Sequence, residues 1–300
     1  MRSLPAVELC AGTGAISKER LVFAKWPWNH ESSEFVLSSK QHGALLLLLA
    51  LALLTLTPPI SAQEKAQGAS RYPQFSLFYS YRCLPENRPE LRKYMDAAGV
   101  VQFEQWKSRG VFKDYIILFS SYVHINSVPW DMLIRIDFDR YADTEKWKEI
   151  ERTMPAGLPP RILALASPEN LNVGETLAAG GMEPTDAAKA IYDVSYYKFK
   201  VPLQAGKDFI QGYVVPQLDA FLHEKVLAGY GLYLNKYEGT DWSYLILSEY
   251  SDAASFDLRV PNKSKIRSLL DPAWKTLNDI KVEHIRDEPH GFIAEQIVPH

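Results

Sequence analysis

The chain is poor in cysteine, with Cys10 and Cys83 its only two among 300 residues. Only Cys83 follows residue 62, so residues 63–300 can form no internal disulfide. No two histidines stand three or four apart on a plausible helix, and no cysteine joins them at ligand spacing, so a zinc site has no support. A phosphate-binding Gly-rich loop and a Gly-x-Ser-x-Gly elbow are both missing. Gly12-Thr13-Gly14 follows no strand and is no dinucleotide fingerprint. Charge of one sign is missing too. Residues 63–300 carry 28 Lys/Arg against 32 Asp/Glu, a mild negative balance that argues against a nucleic-acid or anionic-membrane partner. No apolar run reaches the roughly 20 residues a membrane-spanning helix needs.

What is present first is a shorter apolar run. Ala44–Leu56 holds nine leucines, three alanines and one threonine. Lys40 precedes it, Thr57-Pro58-Pro59 ends it, and Ile60-Ser61-Ala62 supplies small residues before Gln63. A basic start, an apolar middle and a small-residue end make a secretory signal peptide. Residues 40–62 are therefore expected to direct export, periplasmic or extracellular, with cleavage near Ala62. A short membrane anchor is the other reading of the run. Residues 1–39 show no sustained period and read as a spurious or disordered extension, with a start near Val36 or Leu37 restoring the usual signal spacing.

The remaining chain repeats itself. Val111, Tyr115 and Tyr122 recur as Val226, Tyr230 and Tyr237 at an offset of 115. The same offset pairs Ser80 with Ser195, Tyr81 with Tyr196, Tyr94 with Phe209 and Trp106 with Phe221. Tyr141, Asp143 and Trp147 match Tyr250, Asp252 and Phe256 at 109. Each copy reads strand, helix, strand, strand, helix, strand. The strands are Phe75–Cys83, Val111–Tyr122 and Trp130–Phe138, then Ile191–Phe199, Leu227–Tyr237 and Trp242–Tyr250. Glu238-Gly239-Thr240-Asp241 is a hairpin signal. Lys281–Arg286 is expected to close the second copy and Asn172–Leu177 the first, with Met154–Pro184 joining the two. Pro216 is expected to kink or break the second long helix.

This β-α-β-β-α-β order is the ferredoxin-like unit. One bare sheet face per copy must be covered, so the expected fold is α+β, with repeats 75–180 and 185–287 packed sheet to sheet and a tail at 288–300. The element order and the Tyr/Trp register resemble the dimeric α+β barrel superfamily in a fused, two-repeat form. That superfamily includes small-molecule monooxygenases and haem enzymes of the chlorite-dismutase type. No motif of any one member is matched, so the resemblance assigns no residue.

Candidate ligand contacts come from strand alternation. Arg135 and Asp137 share the face opposite Ile134 and Ile136, as a ligand clamp or a self-neutralising pair. Glu249 takes the comparable place in the second copy, Arg82 lies on the first strand beside Ser80, and the repeat brings up Tyr196. His284, read on the last strand, is a titratable candidate. His223, on the second long helix, is the histidine a haem reading would use. No catalytic residue, metal site or required cofactor emerges, with haem a minority reading. The expected function is an exported small-molecule-binding or structural barrel, and the alternative is a cavity enzyme, an oxidoreductase that is haem-dependent or cofactor-free.

Overall fold

The computed structural model describes residues 73–123, 130–181, 186–237 and 242–299. The apolar run 44–56, the cleavage position after Ala62, His124 and the Glu238–Asp241 turn lie outside them. Residues Lys65–His300 make one compact unit.

Strand formation follows the period-2 pattern, but with both faces covered. In β1 (Phe75–Cys83), Phe75, Leu77, Tyr79 and Tyr81 face helices, while Ser76, Phe78 and Ser80 face inward. β2 (Asp114–Ser120) and β3 (Met132–Phe138) follow, then β4 (Ala166–Gly181). The second half repeats this with β5 (Ile191–Phe199), β6 (Gly229–Asn235), β7 (Tyr244–Tyr250) and β8 (Arg286–Gln296). Hydrogen bonding runs β1-β3-β2-β8-β5-β7-β6-β4 and closes back on β1, all antiparallel. The two halves therefore do not stack as separate sheets. Their edges join at β2–β8 and β4–β6 into one eight-stranded barrel, which leaves no open edge.

Helices cover the outside. In the first half Arg88–Tyr94 and Val100–Ser108 are joined through a π-turn at Met95–Gly99. The second half repeats this with Leu203–Phe209, Ile210–Val214 and Val215–His223. Pro216 was expected to kink or break that helix. It stands in the first turn of Val215–His223, where its missing N–H costs little, and the helix runs on. Since the first half bends through the same π-turn without a proline, Pro216 does not cause it. Trp106 and Phe221 sit on matching helices, each buried in its own helix–sheet core.

Strand register refines the repeat. Phe75 faces Phe138 where Ile191 faces Tyr250, and Asp114 faces Asp137 where Gly229 faces Glu249. Asp137 and Glu249 are thus equivalent, but Ser80 matches Tyr196 and Tyr81 matches Tyr197, one residue away from the 115 offset. The closing strands differ more. Lys281–Arg286 was expected as the last strand; residues up to Ile285 instead belong to the helix Pro272–Ile285, and the strand starts at Arg286. Residues 288–296, expected as tail, continue that strand. Residues 172–177, expected as the first closing strand, lie within β4, which extends on both sides into residues expected as linker.

Candidate functional site

Three cores result from this closure, two between sheet and helices and one inside the barrel. The barrel interior is filled over most of its length by Phe78, Leu118, Leu133, Val194, Leu245 and their neighbours. One end is sealed by aromatic rings. Trp130 Nε1 donates to Tyr196 Oη at 2.9 Å, and Tyr196 packs edge-on to Trp242 and Phe292. Burial raises the Tyr196 phenol well above its ordinary range.

The other end stays open and polar. There the starts of β1, β2, β5 and β6 meet the ends of β3, β4, β7 and β8, around a cavity of about 270 Å³. Its floor is a charged cluster. Arg135 Nη2 donates to Asp137 Oδ2 at 2.9 Å, and Arg135 Nη1 donates to Tyr233 Oη at 2.9 Å. Ser76 Oγ donates to the other Asp137 oxygen at 2.6 Å. Asp137 is 1 % exposed and Arg135 16 %. Burial raises the Asp137 carboxyl above the usual range, while the Arg135 guanidinium and the Ser76 hydroxyl pull it back down. For Arg135 burial opposes the charge, and the adjacent Asp137 more than offsets it, so the guanidinium stays protonated. Burial also lifts the Tyr233 phenol, to about 12. Glu249 and the pair Tyr192–Gln296, joined by a 2.7 Å hydrogen bond, complete the walls.

The cavity exists because β6 alternates Gly229, Gly231 and Tyr233 on its inner face. Gly229 replaces the Asp114 of the first half and leaves space. A Cβ at Gly231 would meet the Tyr233 hydroxyl oxygen at 2.4 Å, and one at Gly174 would meet the Phe78 ring at 2.7 Å and Tyr233 Cβ at 3.0 Å. Glycines on two strands therefore let the Tyr233 side chain fold along β6 toward Arg135.

Of the residues expected at a site, Arg135, Asp137 and Glu249 are brought together at this mouth. Arg82 and Tyr196 are not. Arg82 lies near the far end of β1, opposite Ser167, and Tyr196 belongs to the aromatic seal. His284 is an exposed residue in the last turn of the Pro272–Ile285 helix, outside the barrel, and not a strand residue facing the cavity. Tyr233, Ser76, Tyr192 and Gln296 were missed. The Gly229-x-Gly231-x-Tyr233 alternation was the available signal for Tyr233.

Haem would need an axial ligand at this cavity. Among the described residues the mouth has no histidine, His284 is exposed, and the His223 side chain is 88 % exposed beside Glu224. With its phenol pushed to about 12, Tyr233 offers no phenolate at neutral pH. The mouth does not fit haem. Among the described residues no three His, Cys, Asp or Glu side chains cluster as metal ligands, and no helix is long and apolar enough to cross a membrane.

No protein-family model matches the chain, and no curated protein sequence matches it. Solved structures share its outline. One described as a "putative monooxygenase", from Lactobacillus acidophilus NCFM, is 9 % identical, with 76 % of this chain and 95 % of that chain covered and a TM-score of 0.47. Another so described, from Fusobacterium nucleatum, is 13 % identical, covering 76 % and 94 %, at 0.48. A chlorite dismutase variant from Candidatus Nitrospira defluvii is 14 % identical, covering 74 % and 90 %, at 0.44. On its own strand order and its outer helices, the chain has the fold of the dimeric α+β barrel superfamily, closed within a single polypeptide.

Proposed function

We propose that the protein binds a small molecule in the polar mouth of its barrel, and that it does so as a cavity enzyme rather than as a purely structural barrel. The observation that carries this reading is the Arg135–Asp137 pair buried at the cavity floor and held from three sides by Ser76, Tyr233 and each other. A barrel end that served only the fold would be cheaper to close with apolar side chains, as the opposite end is, because buried ion pairs are often matched or bettered by packed hydrophobic residues. Between the two oxidoreductase forms, the residues at the mouth favour the cofactor-free one. A non-catalytic binder is the second reading, and the same cavity supports it.

The test replaces the pair as a unit. Arg135→Met/Asp137→Leu should leave thermal stability unchanged or raise it, by up to about 4 kcal/mol, because both charges leave together. Ligand-observed NMR with a mixed panel of small compounds should show binders that the double variant has lost. Slow conversion of a binder in the same samples marks an enzyme, and unchanged spectra mark a binder. A panel with no differential binding would sink the mouth as a site.

Two further readings belong with this one. The halves are proposed to be ferredoxin-like repeats from a duplication, supported by their common strand order and matching π-turns. Residues 40–62 are proposed to export the chain, with cleavage near Ala62, supported by the tripartite leader pattern. Intact mass of protein recovered outside the cytosol should then begin at or near Gln63, and retention of residues 1–62 would refute export by this route.

A further inference from the structure

The donors at the mouth are arranged around a missing acceptor. Tyr233 Oη accepts from Arg135 Nη1, so one lone pair of the phenol is occupied by a cation. The phenol's own proton reaches no acceptor among the described residues, although Tyr233 lines the cavity. A hydroxyl that accepts from a guanidinium is polarised into a stronger donor. Gln296 adds to this. Its Oε1 is taken by Tyr192, which turns the amide nitrogen of a cavity-lining residue into a second donor.

Charge then restricts what can accept. The Arg135 charge is already balanced by Asp137 at 2.9 Å. Lys113 at the rim is bound to Asp139 at 2.7 Å, while Asp114 is bound to Lys107 at 2.7 Å. With Asp137 and Glu249 both at the cavity, an anionic ligand would meet two carboxylates and one guanidinium that is already neutralised. A cationic ligand would face that guanidinium and leave the Tyr233 proton unused. The bare backbone at Gly229, in a cavity also lined by Leu247 and Tyr192, leaves a small space with partly apolar walls. At about 270 Å³ it lies just below the roughly 300–1,000 Å³ of drug-sized sites.

We propose that the mouth takes a compact, uncharged carbonyl compound, such as an amide, ketone or lactone, whose carbonyl oxygen accepts the Tyr233 O–H with Arg135 behind it. This rests on the mouth being the working site. Tyr233 is thereby a ligand-contacting residue, and Arg135 is a positioning residue that acts through it.

Three near-isosteric probes separate the charge classes: benzamide, benzoate and benzamidinium. Their dissociation constants would be measured by NMR titration of the full soluble chain at neutral pH. Benzamide should bind at least about tenfold more tightly than either ion. Tyr233→Phe, which keeps the ring, should weaken benzamide about tenfold, the worth of one good hydrogen bond. Arg135→Lys should weaken it less, and the Tyr233 phenol should ionise at a lower pH in that variant than in Arg135→Met, because a cation beside the phenol favours its ionised form. Gly229→Val keeps Tyr233 and Arg135 but fills the cavity, and it should abolish binding of every probe. Benzoate or benzamidinium binding most tightly, with Gly229→Val still blocking it, would overturn the carbonyl class and leave the mouth as the site. Benzamide binding that is unchanged in Tyr233→Phe would overturn the role of Tyr233. Absence of binding by all three probes, or binding unaffected by Gly229→Val, would overturn the mouth itself.

Discussion

Arg135, Asp137 and Tyr233 show how much of a site can be read one residue at a time. Strand alternation placed Arg135 and Asp137 on one inner face, because a pleated strand sends i and i+2 the same way. It could not supply Tyr233, which sits 98 residues further on and reaches Arg135 only because β6 lies across the barrel mouth. His284 failed for a different reason. In Lys281–Arg286 the two apolar residues, Val282 and Ile285, stand three apart, a helical spacing rather than strand alternation, and the stretch is too short for its period to be read securely. At this scale Tyr233 gives a pH prediction. Its folded pKa is raised by burial to about 12 from an ordinary 10, so its contribution to stability is complete below pH ~10. As the pH rises toward 12 the unfolded phenol ionises first, and that stability is lost. Alkaline unfolding followed by circular dichroism should therefore show Tyr233→Phe losing less stability than the wild type between pH ~10 and ~12. An equal loss in both would contradict the buried neutral phenol.

Elements were legible where local patterns governed them. All six strands anticipated before the closing pair fall within three residues of expectation, since their apolar periods are long enough to be unambiguous. Asp252 caps the helix Ala253–Asp257 and accepts from the Ser255 amide at 2.8 Å. Its equivalence with Asp143 did not hold; Asp143 sits at the third position of a 3₁₀ turn and accepts from the Arg140 amide. The two long helices also end alike. Gly110 has φ +63°, and Lys225, 115 residues later, has φ +56°. Both are left-handed residues terminating a helix, a position that favours glycine because a Cβ there crowds the carbonyl. Lys225→Gly should stabilise the protein by roughly 0.5–1 kcal/mol, less than the full strain because glycine also gains freedom in the unfolded chain. A thermal melt that shows destabilisation would mean that the lysine side chain holds the turn.

For the whole molecule, the two helix–sheet cores are separate clusters on opposite sides of one barrel. Trp106 belongs to the first and Phe221 to the second, at 5 % and 8 % exposure. Truncating either to alanine should cost roughly 3–5 kcal/mol. Because the two cores share no side chains, the costs should add in the double variant to within about 0.5 kcal/mol by denaturant unfolding, provided the transition stays two-state. Strong non-additivity would mean that the barrel transmits strain between its halves. Closure also explains the asymmetry of function. The halves match in backbone, yet the first supplies Ser76, Asp114 and Asp137 to the mouth where the second supplies Tyr192, Gly229 and Glu249.

By itself the sequence determined the duplicated strand–helix order, the inward placement of Arg135, Asp137 and Glu249, and the burial of Trp106 and Phe221. These follow from periodicity, which acts over a few residues and survives in any register. Only the tertiary structure decided that the sheets close edge to edge, that one barrel end seals with aromatic rings while the other stays polar, and that Tyr233 meets Arg135. Those depend on how many residues each loop inserts between matching strands, since a slip of one residue turns a side chain to the opposite face. The offset is 115 in the long helices but 116 between β1 and β5 and 112 between β3 and β7. No local pattern carries that information; the packing of the barrel interior selects it.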